Sequence, residues 1–194
     1  MSQATLSGGY HNSNLFSNYY LDERIYDLDG WDCDEEARAA FEEIEALYRD
    51  EIEYLPSYKE DQLLDHWIDE ILRILGFQNL SEATVPDGGG YVDRLLFDSG
   101  DDRRDAAHLQ GDGQHRAAFG VGSTVLEAKQ WGADFEARFD EDRNYRDASH
   151  QIKHYLESTP EEIEWGVLTD GRKWRLYGTK DYETKTYYEV DLPE

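Results

Sequence analysis

The sequence predicts a single α/β domain, and three observations carry that prediction. A hydrophobic stripe at helical spacing runs through residues 59–75. Short strand-like segments begin directly after Gly76, and a second helical stripe separates the first strands from the last. At 194 residues there is room for one ordinary domain, or for one domain with a helical arm.

Residues 1–33 are polar, rich in Gly, Asn, Ser and Tyr, and without a sustained period, so they read as an extended arm. A helix is expected from Glu35 to Asp50. Asp34 can cap it, Glu35 and Glu36 suit its positive end, and Phe41, Ile44, Leu47 and Tyr48 share one face. Pro56 interrupts the chain. From Lys59 to Leu75, the residues Leu63, Leu64, Trp67, Ile68, Ile71, Leu72 and Leu75 define the strongest helix, stopped by Gly76. Strands are expected at Glu82–Val85, Tyr91–Phe97 and Thr124–Lys129, with the polar stretch from Asp98 to Ala118 read as a long mobile hairpin loop. Ala148, Ile152, Tyr155 and Leu156 place a helix over Asn144 to Glu157, ahead of Pro160. Asp170-Gly171 then turns a hairpin between Trp165–Thr169 and Lys173–Tyr177, and Tyr187–Leu192 is the last strand.

Lys and Arg total 19 against 44 Asp and Glu, a formal charge of 19 − 44 = −25. A 39% hydrophobic and 13% aromatic content is too high for a disordered acidic chain and suffices for a core. The single cysteine, Cys33, excludes an intrachain disulfide and a cysteine-based zinc finger. The richest apolar run, Leu63 to Phe77, is broken by Asp65, Asp69, Glu70 and Arg73, and no N-terminal signal stands out; the sequence therefore predicts a soluble cytoplasmic protein with no membrane partner. Acidity of this size fits a DNA mimic, an acidic interaction domain, or a surface adapted to high salt. Because the acids are spread along the chain instead of forming one tail, salt adaptation is the favoured reading, and the charge does not veto a DNA function.

The sharpest chemical signal is Val125-Leu126-Glu127-Ala128-Lys129. Alternation in a strand sends Glu127 and Lys129 to one face and Ala128 to the other. The preceding strand, Val92-Asp93-Arg94-Leu95-Leu96-Phe97, brings Asp93 beside Glu127 if the two pair antiparallel. Adjacent carboxylates repel unless a cation lies between them, and Mg²⁺ takes one or two carboxylates while keeping waters. A neighbouring lysine can then orient or deprotonate a water and stabilise charge on a phosphate. Taken alone, Glu-x-Lys is a weak motif that an exposed strand edge often shows. Its surroundings strengthen it: Asp93 one strand upstream, Gln151-x-x-x-Tyr155 one helix downstream, and Glu60 opening the long amphipathic helix.

With these residues the chain resembles the PD-(D/E)XK nucleases, specifically the cleavage domains of type IIG and type I restriction–modification enzymes, and among those a halophile's. The likeness runs through Glu60-Asp61-Gln62 and the helix behind it, the Asp93 strand, Glu127-Ala128-Lys129-Gln130-Trp131-Gly132, Gln151-Ile152-Lys153-His154-Tyr155-Leu156, and Trp165 to Tyr177; Asn14 to Leu21 resembles the opening of type IIG polypeptides. It implies a restriction-endonuclease-like core over residues 57–194, a central mixed sheet flanked by helices, with residues 1–56 as an N-terminal arm and helix. It further implies Mg²⁺, with Mn²⁺ as a substitute, held by Asp93, Glu127 and Glu60. Lys129 would activate the water, and Gln151 and Tyr155 would line the active centre and contact the DNA backbone. The implied reaction is hydrolysis of double-stranded DNA to a 5′-phosphate, with methyltransferase and target-recognition domains supplied by a longer polypeptide or complex. The family's proline before the aspartate is replaced by Val92.

Each residue also has a purely structural reading. Glu60 suits a helix N-terminus through the macrodipole alone, and Gln151 with Tyr155 fits a half-buried helix face. Trp165, Trp174 and Tyr177 read as core, His150 and His154 as surface, and Gly88-Gly89-Gly90 as a tight turn and not a phosphate loop. Two rival functions accompany these readings: a catalytically inactive nuclease fold kept for DNA or partner binding, and an acidic DNA mimic.

Overall fold

The computed structural model describes residues 9–88, 90–140, 145–179 and 183–192. A seven-stranded mixed sheet runs β1 (Tyr10–Ser13), β7 (Tyr187–Asp191), β6 (Lys173–Gly178), β5 (Trp165–Thr169), β4 (Thr124–Ala128), β3 (Tyr91–Phe97), β2 (Gln78–Thr84). All neighbours pair antiparallel except β4 and β5. A parallel pair needs a crossover, and the connection carries the helix α6 (Ala148–Ser158) back along the sheet. The fold is therefore α/β with helices against the sheet, as the hydrophobic periods predict.

Strand alternation divides the apolar residues between two layers. Leu95, Phe97 and Val125 pack with Ile152, Tyr155 and Leu156 of α6 and with Phe119, Phe135, Ile163 and Tyr177. Leu96, Leu126 and Ala128 point the other way, onto Leu63, Leu64, Trp67, Ile68, Ile71 and Leu72. These last residues lie on the predicted long helix, which is built as α2 (Glu60–Leu63), a π-helical turn (Leu64–Ile68) and α3 (Asp69–Ile74). Buried Arg94 braces that turn against β3: it donates Nε and Nη2 to the two oxygens of Asp69 at 2.9 and 2.8 Å, Nη2 to Asp65 at 3.3 Å, and Nη1 to the Asp93 carbonyl at 2.9 Å. A π-turn of this kind interrupts helices frequently at functional sites.

Four expectations need correction. The stretch from Asp98 to Ala118 is not a loop but holds two helices, α4 (Gly100–Gly111) and α5 (His115–Phe119). They form because Ser99 caps α4, accepting from the Asp102 amide at 3.1 Å, and because small Ala106 and Ala118 let both helices sit close to the sheet. The N-terminal arm is not wholly irregular: β1 lies in it and extends the sheet beyond β7. The helix α1 (Asp34–Glu51) starts at Asp34 instead of being capped by it, and Phe41 is exposed while Ile44, Leu47 and Tyr48 pack on the second layer. The strand expected at Glu82–Val85 begins earlier, at Gln78.

The Asp170-Gly171 turn is formed as expected. Asp170 accepts from the amides of Arg172 and Lys173, and Gly171 takes φ +81°, where the Trp67 indole donates to its carbonyl at 2.7 Å. Tyr177 is core, while Trp165 and Trp174 are half-buried. Ahead of β3 the chain turns tightly, with Gly88 and Gly90 at positive φ and the Val85 amide on the Gly90 carbonyl; Gly89, and Asn144 at the expected start of α6, lie outside the described residues. No helix among the described residues is long and apolar enough to cross a membrane.

Candidate active site

The antiparallel register Arg94↔Leu126 of β3 and β4 is the feature that builds the site. One step outward from that pair lie Asp93 and Glu127. By alternation Asp93 shares its face with Leu95 and Phe97, and Glu127 shares it with Val125, the layer that α6 covers. Asp93 Oδ2 accepts from the Ala128 amide at 2.7 Å, which fixes the aspartate against the end of β4. Lys129 follows, its own amide held by the Thr169 carbonyl at 2.8 Å, and its Nζ donates to Glu127 Oε1 at 2.5 Å.

Glu127 is the most constrained group here. Its side chain is 5% exposed, and its second oxygen, Oε2, is buried with no hydrogen-bond partner among the described residues. Burial, opposed by Lys129 and reinforced by the charges of Asp93 and Glu60, pushes its carboxyl up to about 8. With no cation beside it, Glu127 therefore gives up its proton later than an ordinary carboxyl, and Oε1 accepts from the Lys129 ammonium. Burial raises Asp93 as well, against the opposing pull of the Ala128 amide and Lys129. Burial works against the charge of Lys129 too, but Glu127 and Glu60 outweigh it and hold the lysine protonated beyond its ordinary range.

The other expected residues converge on the same place. Glu60 opens α2, half-buried, and its charge acts on both Glu127 and Lys129. Gln151 and Tyr155 are both buried on α6; the Gln151 amide donates to the Tyr155 hydroxyl at 2.9 Å, and Gln151 Oε1 has no hydrogen-bond partner among the described residues. Burial, then the Glu127 charge, raises the Tyr155 phenol, which stays a hydroxyl and is also hydrogen-bonded with Tyr145. His150 and His154 are half-buried; His150 Nδ1 lies 2.8 Å from Asp147, and the His154 ring lies against Tyr145.

Three contributors escaped the sequence reading. Asp61, exposed on α2, acts electrostatically on Asp93, and Arg94 anchors the Asp93 backbone. Tyr145 extends the Tyr155 contact away from the strands. The residue after a candidate aspartate, alternating into the opposite layer as an arginine, was the signal available for Arg94.

The donor set suits a hard divalent cation. Glu127 Oε2 is a buried oxygen without a hydrogen-bond partner among the described residues, a second carboxylate stands beside it, and Mg²⁺ needs only one or two carboxylates with waters filling its other positions. No three His, Cys, Asp or Glu side chains among the described residues are grouped to hold a metal, so Glu60 is an electrostatic neighbour of the pair here and not a third member of a cluster. Comparison of the chain with protein-family models, with curated proteins and with solved structures gives no match.

Proposed function

We propose that this chain is the cleavage module of a restriction–modification enzyme: a metal-dependent DNA endonuclease on a restriction-endonuclease-like core. The observation that carries the reading is the meeting of Asp93, Glu127 and Lys129 at one end of two adjacent antiparallel strands, with the buried Glu127 Oε2 lacking a hydrogen-bond partner among the described residues. Asp93 and Glu127 would hold Mg²⁺, or Mn²⁺, which supplies positive charge to a phosphate oxygen and acidifies a water. Lys129, kept as an ammonium by Glu127 and Glu60, acts as a donor and a fixed charge instead of a base. It orients the attacking water and stabilises the negative charge growing on the phosphate in line with attack. Tyr155, held neutral, offers a hydroxyl at the edge of the same site, and Gln151 fixes that hydroxyl.

Target recognition is assigned to regions outside this chain, together with a methyltransferase. The support is electrostatic. With −25 charges, the domain repels phosphates except where its few cations gather, and in a saline cytosol binding weakens further, by a slope of about −0.9 per phosphate contact. The chain alone should therefore nick plasmid DNA slowly and without sequence preference. Plasmid incubated with Mg²⁺ in molar KCl, with Asp93→Ala as control, tests this. Cutting that Asp93→Ala abolishes supports the reading; equal cutting by both proteins overturns the site, and robust site-specific cutting overturns the module assignment.

A further inference from the structure

Two side-chain oxygens at the candidate site, Glu127 Oε2 and Gln151 Oε1, are buried and lack a hydrogen-bond partner among the described residues. A third, Asp170 Oδ2, lies 3.5 Å from the Lys173 ammonium and is thereby compensated. A carboxylate and an amide carbonyl are both acceptors, so an ionised Glu127 cannot satisfy Gln151, and a buried acceptor left bare is costly. The ammonium of Lys129 is placed on the other oxygen of Glu127.

The fold brings both oxygens to one end of the sheet. Chain direction reverses between β4 and α6, because the helix returns to the start of the parallel strand β5. Ile152 and Leu156 accordingly pack where β5 begins, over Gly166. Gln151 shares a helix face with Tyr155 and lies one turn nearer the helix N-terminus, toward the strand ends that carry Asp93, Glu127 and Lys129. Tyr155 already reaches that end: its Cε1 lies 4.0 Å from where a Cβ of Gly90 would be, just before β3, and its phenol responds to the Glu127 charge. The amide is oriented as well. Gln151 Nε2 donates to the Tyr155 hydroxyl at 2.9 Å, and that hydroxyl is hydrogen-bonded with Tyr145, so the donor half of the carboxamide faces the tyrosines and the carbonyl half faces away from them.

We propose that Gln151 is a metal ligand: its carbonyl oxygen joins Glu127 Oε2 and Asp93 as the third protein donor to the divalent cation, so that α6 holds the ion together with the two strands. Amide carbonyls, like carboxylates, are hard oxygen ligands suited to Mg²⁺ and Mn²⁺. A neutral amide adds this donor without a third negative charge, in a place where Glu127 and Asp93 already repel each other. The inference rests on the metal-dependent reading above, and it assigns Gln151 to the ion where the family resemblance assigns it to the DNA backbone.

Manganese binding in the absence of DNA tests this. The whole chain is titrated with Mn²⁺ in molar KCl, which suppresses loose binding by the surface acids, and free Mn²⁺ is counted by electron paramagnetic resonance. The site in question is the one that Asp93→Ala removes. Gln151→Leu keeps the bulk and removes the oxygen; it should weaken that site at least about tenfold and raise the relaxation of water protons by the bound ion, as a water takes the carbonyl's position. Gln151→Glu restores an oxygen and adds a charge, so it should tighten the site, which keeps the test decisive if the leucine variant fails to fold. Tyr155→Phe leaves the carbonyl in place and should lose clearly less than Gln151→Leu does. Unchanged affinity in both Gln151 variants overturns the inference, as does a Gln151→Glu protein that binds as weakly as Gln151→Leu. Equal losses from Tyr155→Phe and Gln151→Leu overturn it too, reducing Gln151 to an anchor for Tyr155. The nuclease reading fails separately: Mn²⁺ binding indifferent to Asp93→Ala removes the metal centre itself, whereas a site that needs Asp93 but not Gln151 removes only the amide ligand.

Discussion

Glu127 concentrates the chemistry of this chain at one atom pair. A carboxyl pushed up to about 8 by burial carries its proton in the folded chain at pH values where the unfolded chain has lost it. The folded state then binds more protons, so stability falls as pH rises from the ordinary carboxylate range to about 8, and levels above it. Without divalent metal, the melting temperature should decline across that window, and Glu127→Gln, which keeps the shape and removes the titration, should flatten the decline. Thermal unfolding followed by circular dichroism in EDTA at pH 5, 7 and 9 measures both; parallel curves for the two proteins would refute the assignment. Lys129→Ala tests the neighbouring role. It removes one donor aimed at developing charge, so plasmid nicking should drop about 10²- to 10³-fold, while the fluorescence anisotropy of a labelled duplex bound to it changes far less. At this scale the sequence was informative because the chemistry is local: Asp93, Glu127 and Lys129 need only period-2 alternation and one antiparallel register to meet. Asp61 and Tyr145 were invisible because their approach depends on where α2 and α6 end in space.

The elements explain why those side chains stay where they are. The α6 helix crosses between the two parallel strands, and it can lie close to β5 because Gly166 has no side chain: a Cβ there would come within 2.9 Å of Ile152 Cγ1 and 3.0 Å of Leu156 Cδ1. Gly166→Ala should push α6 off the sheet and cost about 1–3 kcal/mol, as overpacking does. Chemical denaturation reads the loss, and an unchanged midpoint would mean the helix is not seated as described. The elements legible in the sequence share one property. The long helix, β3, β4 and the Asp170-Gly171 hairpin each bury large apolar side chains at a regular period or carry a specific turn dipeptide. Helices α4 and α5 do neither. They bury only Ala106, Ala118 and Phe119 among charged neighbours, so their hydrophobic period is nearly silent, although Ser99-x-x-Asp102 spells a helix start. The strand β1 was hidden for a related reason, since an edge strand half in solvent needs no apolar alternation.

For the molecule as a whole, the governing quantity is the excess of carboxylates. Many arginines are already spent on local pairs, Arg24 with Asp27, Arg49 with Glu45, Arg73 with Glu70 and Arg116 with Asp87, so the remaining acids repel one another across the surface. That repulsion opposes the compact state and is screened over about 10 Å at 0.1 M salt but about 3 Å at 1 M. The chain should therefore gain stability steeply between 0.1 and 1 M KCl and much less beyond, where screening has become shorter than the spacing between surface charges. A gain that instead continued linearly to 3 M would come from salt acting on apolar burial, which grows with concentration and not with its square root. Charge reversal separates the two causes inside the protein. Glu42 and Glu43 are exposed on α1, and Glu42→Lys with Glu43→Lys moves the net charge from −25 to −21. If repulsion is the cause, the double variant melts higher than the parent at 0.1 M KCl and the two curves converge above 1 M. Parallel melting curves at all salt concentrations would leave the acidity without a mechanical role in folding. On the nuclease reading proposed above, the same measurement bears on DNA: the salt that relieves self-repulsion also weakens phosphate contacts, so the conditions that best hold the fold together would be those in which this domain holds DNA least.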